Sequence, residues 1–297
     1  MARIAIATTQ FKAWLAQAKE LAIAHSIDEA ELDWLLLAIT DLDRLSLKLK
    51  SYERKSHIHC EWSFQTLQQK WHQRIHDRVP LQYLIGHTPW RQFDLKVSPA
   101  VLIPRPETEC LIDEVAFVIA QSPELTLGHW VDLGTGSGAI AIALADLMPN
   151  ASIHAIDTSR DALAIAQWNA QNLGVGDRIR FYQGHWFEPI GHLRGNLSGL
   201  VSNPPYIPSA MVLELQPEVI KHEPHLALDG GEDGLGSLRH LIDRAPEYLI
   251  SGGSWMVEMM QGQMDAVVER LAHQGYRSIQ RSRDLEGVER FAIARWE

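Results

Sequence analysis

The feature that most constrains the fold is a glycine-rich turn between an apolar strand-like stretch and an apolar helix-like stretch. Residues 130–133 have the pattern of a buried strand, residues 134–138 read Gly-Thr-Gly-Ser-Gly, and residues 138–148 have the pattern of a helix. Glycines at such a turn let the backbone reverse sharply and approach a bound molecule closely. Strands and helices alternate from this turn onward, which predicts a parallel sheet with helices on both of its faces.

The alternation extends to the end of the sequence. Further strands are predicted at 152–156, 178–183, 198–202, 254–259, 277–281 and 290–296, and further helices at 159–173, 235–249 and 261–273. The last two strands have no helix between them, so we expect them to form an antiparallel hairpin at the sheet edge. Another helix should begin near Glu107, because apolar residues recur at helical spacing after it. The pattern predicts a seven-stranded, mostly parallel α/β sheet.

The first third of the sequence has a different character. Residues 10–78 show helical periodicity, and five of the ten tryptophans lie in the first 90 residues. We expect these tryptophans to fill a small helical core; the alternative is a tryptophan-lined groove for a partner. Prolines and a glycine then punctuate short alternating runs, which predicts a β-hairpin. The expected organisation is a helical domain at 1–85, a hairpin linker at 86–104 and an α/β domain at 105–297.

Charge and cysteine content exclude several classes of protein. The chain has 27 Lys and Arg against 37 Asp and Glu, a formal charge of −10. Residues 1–90 hold 11 basic and 10 acidic side chains, whereas residues 91–297 hold 16 and 27. The acidic second part argues against stable, salt-driven binding to nucleic acid. Two cysteines give neither a disulfide framework nor metal-ligand spacing. We therefore expect a reduced, cytoplasmic compartment and no bound metal; we also expect a monomer.

A membrane-bound location is not expected either. The longest apolar run is Ala139–Ala145, which is far shorter than a bilayer requires. The N-terminal residues also lack a continuous apolar segment of signal-peptide length.

An acidic residue ends the strand that follows the glycine-rich turn. Asp157 lies nineteen residues after Gly138. A carboxylate at this position can accept hydrogen bonds from both hydroxyls of a ribose. The alternative is a capping role for the helix that begins after Ser159. The spacing Gly-x-Gly-x-Gly differs from the dinucleotide fingerprint, and no Lys follows the glycines, so a phosphate-binding P-loop is disfavoured.

The loop Asn203-Pro204-Pro205-Tyr206 follows another apolar strand, at the end where such sheets bind ligands. An amide or aromatic amine nitrogen is a poor nucleophile, because its lone pair is delocalised. The Asn203 side-chain oxygen and the Pro204 carbonyl can accept its two N–H bonds, which orients it and stabilises positive charge developing on it. Tyr206 can stack on the planar group through its ring, with its hydroxyl dispensable. The alternative is a stiff Pro-Pro loop with no chemical role.

These two loops together resemble those of class I amino-methyltransferases, and further stretches resemble the HemK/PrmC family. The similar stretches are residues 78–86 (RVPLQYLIG), 102–109 (LIPRPETE), 223–224 (EP), 228–231 (LDGG) and 283–285 (RDL). The resemblance implies a Rossmann-like fold and S-adenosylmethionine as cofactor. It also implies methyl transfer to the side-chain nitrogen N5 of the glutamine in the Gly-Gly-Gln motif of class 1 peptide chain release factors.

The same resemblance implies roles for individual residues. The cofactor would be bound by Asp132, Gly134, Thr135, Gly136, Ser137, Gly138, Asp157, Trp186 and Asn203. The glutamine amide would be held by Asn203, Pro204, Pro205 and Tyr206, of which Asn203, Pro204 and Tyr206 are the catalytic candidates. Arg105, Glu107 and Glu223 would shape the site entrance, although Arg105 and Glu107 could instead form an interdomain ion pair. The helical domain would recognise the protein substrate.

Two positions depart from the family pattern. The family often has an acid where His185 stands, so a backbone contact at Trp186 is expected there instead. Residues 259–261 (MMQ) also differ from the commoner pattern. Three alternative functions remain: an adenine-N6 nucleic-acid methyltransferase, a glutamine methyltransferase acting on a ribosomal protein, and an inactive cofactor-binding module. The acidic second part disfavours the first, and the two intact loops disfavour the last.

Overall fold

The computed structural model describes residues 3–297, which divide into two compact units. One unit comprises the residues up to Gly86 together with the short segment Pro217–His222. The other comprises His87–Gln216 and Glu223–Glu297. The smaller unit is therefore completed by a segment that interrupts the sequence of the larger one.

The strands in chain order are β1 (Ile4–Ala7), β2 (His57–Cys60), β3 (His87–Trp90), β4 (Phe93–Lys96), β5 (His129–Leu133), β6 (Ser152–Asp157), β7 (Ile179–Gln183), β8 (Leu197–Ser202), β9 (Leu249–Glu258), β10 (Arg277–Arg283) and β11 (Glu289–Trp296). The α-helices are α1 (Thr8–Ala24), α2 (Glu29–Ile39), α3 (Arg44–Lys48), α4 (Phe64–His72), α5 (Leu81–Ile85), α6 (Glu109–Gln121), α7 (Ala139–Leu147), α8 (Arg160–Asn172), α9 (Ser209–Val212), α10 (Pro217–His222), α11 (Gly236–Arg244) and α12 (Met264–Gln274). Short 3₁₀ turns lie at Ser51–Arg54, Pro123–Leu127, Gly176–Arg178, Glu188–Leu193, His225–Ala227 and Ala245–Glu247, and a π turn lies at Gln73–Asp77.

The smaller unit buries its tryptophans among leucines. Trp14 and Trp71 belong to one apolar cluster, and Trp34 and Trp62 pack against it while partly exposed. The Trp71 indole nitrogen donates to the carbonyl of Ala18 at 3.2 Å, which satisfies its one polar atom. The prediction that the tryptophans fill a helical core is confirmed for Trp14 and Trp71, whereas Trp34 and Trp62 only border that core, and Trp90 is buried in the core of the larger unit.

The helical prediction for residues 10–78 is wrong at one place. Strand β2 lies inside this range and pairs antiparallel with β1, with Ile6 opposite Ile58. Exposed and buried residues alternate along the four residues of β2. An alternation this short does not stand out from the helical periodicity on either side of it.

A buried arginine holds the inserted segment in the smaller unit. The Arg74 guanidinium forms two hydrogen bonds to Glu31, of 2.6 and 2.7 Å, and one of 2.8 Å to Glu218 on α10. Arg78 also pairs with Glu218 at 2.7 Å. Removing one partner would leave a charge that is buried without compensation, which is strongly destabilising. The network therefore fixes residues 217–222 against the helices of this unit.

The larger unit is built on a seven-stranded sheet in the order β10-β11-β9-β8-β5-β6-β7. Strands β9, β8, β5, β6 and β7 are parallel, and β11 is antiparallel to both of its neighbours. The predicted seven-stranded, mostly parallel sheet with an antiparallel edge hairpin is confirmed. Apolar side chains cover both faces of the sheet and form two clusters. Strands β3 and β4 form a separate antiparallel hairpin within the range predicted for one.

Several element bounds differ from the predictions. The helix predicted at 235–249 ends at Arg244, and β9 begins at Leu249 rather than at residue 254. The Gly252-Gly253 pair lies inside β9, where the register with β8 shifts. Glycine permits this bulge because Gly252 has φ of 80°. No described helix is long and apolar enough to span a membrane.

Candidate active site

A cavity of about 310 Å³ opens at the carboxyl ends of β5, β6 and β8. It is lined by residues from several stretches of the larger unit, and Gly134, Gly136, Asp157, Trp186, Asn203 and Pro205 are among them. Ligands bind at this edge of open α/β sheets, because the loops that follow parallel strands meet there. The glycine-rich turn and the Asn-Pro-Pro-Tyr loop, which are far apart in sequence, therefore border one cavity.

The glycine-rich turn is held open toward the cavity. Gly136 has φ of 53°, and a Cβ placed on it would meet no atom within 4 Å. At Gly138, by contrast, a Cβ would lie 3.0 Å from the Cβ of Ala166 on α8. The amides of Gly134 and Thr135 both donate to the carbonyl of Ile156 at 2.9 Å, which ties the turn to β6. The turn is thus fixed to β6, and at Gly136 its backbone borders free space beside the cavity.

Asp132 supports this turn from the protein interior. Its carboxylate is fully buried and accepts hydrogen bonds from Thr135 Oγ1 at 2.5 Å and from the amide of Ala141 at 3.0 Å. Burial raises the pKa of Asp132 to about 7, although these two donors lower it. Its other oxygen, Oδ1, has no hydrogen-bond partner among residues 3–297. Asp132 does not line the cavity, so its predicted contact with a cofactor remains a prediction.

Asp157 lines the cavity and also organises the backbone around it. One carboxylate oxygen accepts from the amide of Gly136 at 2.9 Å, and the other accepts from the amide of Ser159 at 2.8 Å. The cap of α8 is Ser159, whose side chain accepts from the amide of Ala162, so the capping alternative for Asp157 is not supported. A carboxylate has about four acceptor sites, so two hydrogen bonds leave room for ligand hydroxyls. Burial raises the pKa of Asp157, while these amide donors lower it.

Trp186 forms another wall of the cavity. Its backbone has φ of 49°, and its ring would lie 3.6 Å from a Cβ placed on Gly134. The neighbouring His185 also lines the cavity, and its ring lies 5.9 Å from the ring of His240. The pKa of His240 is lowered by burial and then by His185, which favours a neutral imidazole there. The reason for a histidine at position 185 is not apparent from these contacts.

The Asn-Pro-Pro-Tyr loop is anchored by buried polar contacts. Ser202, the last residue of β8, donates through Oγ to the carbonyl of Leu133 at 2.6 Å, which joins this loop to the glycine-rich turn. The next residue, Asn203, donates through Nδ2 to Thr108 Oγ1 at 2.9 Å. The Asn203 side-chain oxygen and the Pro204 carbonyl accept no hydrogen bond from the described residues. Asn203 lines the cavity, whereas the buried Pro204 does not.

Two residues of this network were not identified from the sequence. Thr108 donates to Glu258 Oε2 at 2.7 Å, and Tyr206 donates through its hydroxyl to Glu258 Oε1 at 3.0 Å. Glu258 is the last residue of β9 and is buried. Burial raises its pKa to about 7, while its two hydroxyl donors and the Arg290 charge lower it. The sequence offers one signal for Glu258: it is an acidic residue at the end of an apolar strand, and that strand neighbours the one that precedes the Asn-Pro-Pro-Tyr loop.

The expectation that the Tyr206 hydroxyl is dispensable is revised by this contact. Removing the hydroxyl would take a hydrogen-bond donor away from a buried carboxylate, which costs free energy. The Tyr206 ring packs against the apolar cluster of one sheet face and does not line the cavity. Its predicted stacking on a substrate therefore remains a prediction.

The Leu-Asp-Gly-Gly stretch holds the far end of the loop. A Cβ on Gly230 would lie 2.8 Å from Tyr206 Cα and 2.9 Å from the Pro205 carbonyl, so only glycine fits there. The amide of Gly230 donates to the carbonyl of Ile207 at 2.8 Å. Gln263 donates through Nε2 to the Tyr206 carbonyl at 2.9 Å. The loop is thus fixed along its whole length, and this explains in physical terms why glycine stands at position 230.

The entrance residues are arranged differently from the predicted pairing. Arg105 pairs with Glu223 at 2.7 Å, within the larger unit, and no ion pair joins Arg105 to Glu107 in the described part of the chain. Glu223 also accepts from the amide of Ile103 at 3.2 Å. None of these three side chains lines the cavity, but Leu102 and Pro224 beside them do. The pair therefore holds together two segments of the cavity wall.

Of the other predicted site residues, Thr135, Ser137 and Gly138 do not line the cavity either. Their surroundings indicate a supporting role. The carbonyl of Ser137, for example, accepts from the side chain of the buried Asn169 at 2.8 Å. Asn169 also exchanges two hydrogen bonds with the backbone of Lys96 on β4, so it joins the hairpin to the glycine-rich turn.

Comparison with known proteins agrees with this geometry. Residues 127–195, which contain the glycine-rich turn and Asp157, match the family model of a methyltransferase domain. A release factor glutamine methyltransferase from Synechocystis sp. is 52% identical over 288 residues, 96% of each chain. One from Thermosynechococcus vestitus is 49% identical, covering 89% of this chain and 90% of the relative. The chain belongs to the release factor glutamine methyltransferase family.

Similarity to solved structures supports the same fold for this release factor glutamine methyltransferase family member. The catalytic domain of hMettl16, solved in complex with a 3′UTR hairpin, matches with a TM-score of 0.56 and 13% identity. The match covers 86% of this chain and 87% of that one. At this identity the likeness concerns the fold alone. The chain is an S-adenosylmethionine-dependent methyltransferase of the Rossmann-like class.

The residues around the cavity fit S-adenosylmethionine. The Asp157 carboxylate suits ribose hydroxyls, the Trp186 ring suits a planar base, and Gly136 leaves open space where a side chain would intrude. Asp132 adds an acidic group behind the turn, which suits a cationic ligand. Asp157, Trp186 and the glycine-rich turn would hold the cofactor, which would supply the methyl group in the cavity that Asn203 also lines.

We predict that Asp132 makes the stability of this methyltransferase pH-dependent. Its ordinary pKa of 3.8 is raised to about 7 in the folded protein, so the folded state binds more protons between these values. Stability therefore falls as the pH rises from about 4 through about 7. Chemical denaturation of the cofactor-free protein at pH 5 and pH 8 should show this loss in the wild type and a smaller one in Asp132→Asn. An equal pH dependence in both proteins would contradict the assignment.

Proposed function

We propose that this chain transfers the methyl group of S-adenosylmethionine to N5 of the glutamine in the Gly-Gly-Gln motif of class 1 peptide chain release factors. The observation that carries the proposal is the position of Asn203. Its side chain lines the same cavity as the glycine-rich turn and Asp157, and its oxygen has no partner among the described residues. The names of the relatives at 52% and 49% identity support the choice of substrate.

The chemistry requires a weak nucleophile to be held in line with a reactive methyl group. S-adenosylmethionine, when bound, supplies a methyl group on a positively charged sulfur. The Asn203 side-chain oxygen and the Pro204 carbonyl accept the two N–H bonds of the glutamine amide. This orients the nitrogen lone pair toward the methyl group. It also stabilises the positive charge that develops on nitrogen in the transition state.

No residue in this scheme removes a proton before transfer. The Asn203 amide is neutral and cannot take a proton at physiological pH. The amide N–H becomes acidic only as the N–CH₃ bond forms, so one proton leaves the nitrogen after that bond and passes to water. The bound cofactor would keep the electron pair of the S–CH₃ bond on its sulfur, so its departure would require no proton. The role of Asn203 is therefore positioning and charge stabilisation.

The smaller unit is proposed to recognise the protein substrate. Residues 1–90 are close to neutral, whereas residues 91–297 carry 16 basic and 27 acidic side chains. An acidic catalytic part does not favour stable binding to nucleic acid. The charge distribution thus favours a protein substrate, and we also propose a monomeric, cytoplasmic enzyme. The acidic charge likewise disfavours the adenine-N6 alternative, because it would act on nucleic acid.

We predict that Asp157→Ala weakens cofactor binding by about 1.5–3 kcal/mol, the range for hydrogen bonds to a charged group. The loss is expected because Asp157 would accept hydrogen bonds from the ribose hydroxyls. Calorimetric titration with S-adenosylmethionine measures it, and Asp161→Ala is the matched control, since Asp161 is exposed on α8 and does not line the cavity. Unchanged affinity in Asp157→Ala would remove Asp157 from the cofactor site.

We predict that Asn203→Ala lowers the methyl-transfer rate by about 10²–10³, by analogy with the loss of one oxyanion-hole donor. Cofactor affinity should change much less. Single-turnover methylation of a release factor measures the rate, and Asn172→Ala, at the exposed end of α8, is the control variant. A release factor carrying Gly-Gly-Glu is the control substrate. A wild-type rate for Asn203→Ala, or equal methylation of the control substrate, would contradict the mechanism.

A further inference from the structure

Four polar side chains from three parts of the larger unit form one buried chain of hydrogen bonds. Asn203 Nδ2 donates to Thr108 Oγ1 at 2.9 Å, and Thr108 donates to Glu258 Oε2 at 2.7 Å. Tyr206 donates to the other oxygen of Glu258 at 3.0 Å. Thr108 and Glu258 are almost completely buried, so water does not offer them alternative partners. The chain therefore runs from the end of β9 to the side-chain amide that borders the cavity.

The donors and acceptors of this chain permit only one direction. An ionised carboxylate can only accept, so both hydroxyl protons must point toward Glu258. The single hydroxyl proton of Thr108 is then donated to Glu258. Thr108 can therefore only accept from Asn203, through a lone pair of its oxygen. Asn203 must meet that lone pair with its NH₂ group. The reversed amide would set two acceptors against each other at 2.9 Å in a buried site, which is costly.

Glu258 is ionised under conditions suited to an assay. Burial raises its pKa to about 7, while the donors Thr108 and Tyr206 and the nearby Arg290 lower it. Glu107 opposes ionisation. Arg290 is in turn paired with Asp284 at 2.5 Å, which keeps its charge in place. At pH 8 the carboxylate is therefore mostly ionised, and both of its oxygens accept.

We propose that Thr108 and Glu258 are positioning residues that fix which end of the Asn203 amide faces the substrate, and thereby select a glutamine over a glutamate. With NH₂ committed to Thr108, the Asn203 side-chain oxygen is left to accept from the substrate, and the Pro204 carbonyl is the second acceptor of the proposed function. Two acceptors suit an amide, which offers two N–H bonds, and oppose a carboxylate, which offers none at neutral pH. This inference rests on the proposed function, because it concerns the same transfer to a glutamine nitrogen.

The physical basis of this selectivity is the unfavourable free energy of placing hydrogen-bond acceptors against each other. A glutamate carboxylate in this position would meet two oxygen acceptors and lose its hydration without replacement. Sites built to pair a particular polar group reject an analogue that lacks it far more strongly than apolar pockets reject a change of size. A reversed Asn203 would present N–H donors and would remove much of this penalty. The direction of the hydrogen-bond chain is thus the source of the discrimination.

The test compares Thr108→Val, which keeps the shape and removes the hydroxyl, with Thr108→Ser, which keeps the hydroxyl. Single-turnover rates at pH 8 and Kd values for a release factor carrying Gly-Gly-Gln or Gly-Gly-Glu are measured with saturating S-adenosylmethionine. In Thr108→Val the rate on Gly-Gly-Gln should fall by about 10- to 100-fold, as for a misplaced reacting group. Cofactor affinity should stay unchanged. The ratio of the Kd for the Gly-Gly-Glu release factor to the Kd for the Gly-Gly-Gln release factor should decrease. Thr108→Ser should retain most of the rate and the full preference.

The possible results separate the inference from the proposed function. A wild-type protein that does not methylate Gly-Gly-Gln would contradict the proposed function and the inference with it. An active wild type with an unaffected Thr108→Val variant would contradict the inference alone. Equal losses in Thr108→Val and Thr108→Ser would also overturn it, because the hydroxyl would then be irrelevant. If thermal unfolding shows that Thr108→Val does not fold, Thr108→Ala takes its place. The same loss of rate and the same reduced preference for Gly-Gly-Gln are expected of Thr108→Ala.

Discussion

The site depends on two parallel strands that end side by side. Strands β5 and β8 are neighbours in the sheet, and the Ser202 hydroxyl donates to the Leu133 carbonyl at 2.6 Å where both strands end. The fit between these strands is close, since a Cβ on Gly199 would lie 2.3 Å from the ring of Trp130. The glycine-rich turn and the Asn-Pro-Pro-Tyr loop leave the sheet from these two ends. Their separation is therefore set by the sheet and not by the loops themselves.

Around this frame, buried polar groups fix the loops in place. Asp132 holds the glycine-rich turn from inside, and Glu258 holds Thr108 and Tyr206 beside the Asn-Pro-Pro-Tyr loop. Burying each carboxyl is unfavourable, and in both cases the pKa rises to about 7. Enzymes accept such a cost where a reacting group must be oriented before the reaction begins. The larger unit is therefore stabilised mainly by its apolar sheet faces, while its polar interior serves the cavity.

The sequence predicts the parts of this arrangement that have a local signature. Strand and helix periodicity predicts the sheet, and the glycine spacing with Asp157 predicts the carboxyl edge as a binding site. The contact between Thr108 and Glu258 could not be predicted, because it joins residues 150 positions apart. Thr108 lies in the family-like stretch 102–109 and Glu258 ends an apolar strand, but neither feature indicates that the two side chains meet. Strand β2 was missed because a four-residue alternation lies within helical surroundings. The direction of the Asn203 amide follows only from partners that the folded chain supplies.

The central claim is that the Asn203 side-chain oxygen and the Pro204 carbonyl together bind the nitrogen that receives the methyl group. A crystal structure of the protein with S-adenosylhomocysteine and a glutamine-containing Gly-Gly-Gln peptide tests it most directly. The account predicts the glutamine nitrogen within about 3 Å of both oxygens, the usual hydrogen-bond distance, with Asn203 Nδ2 still bonded to Thr108. A glutamine carbonyl facing Asn203, or a glutamine side chain outside the cavity, would contradict it.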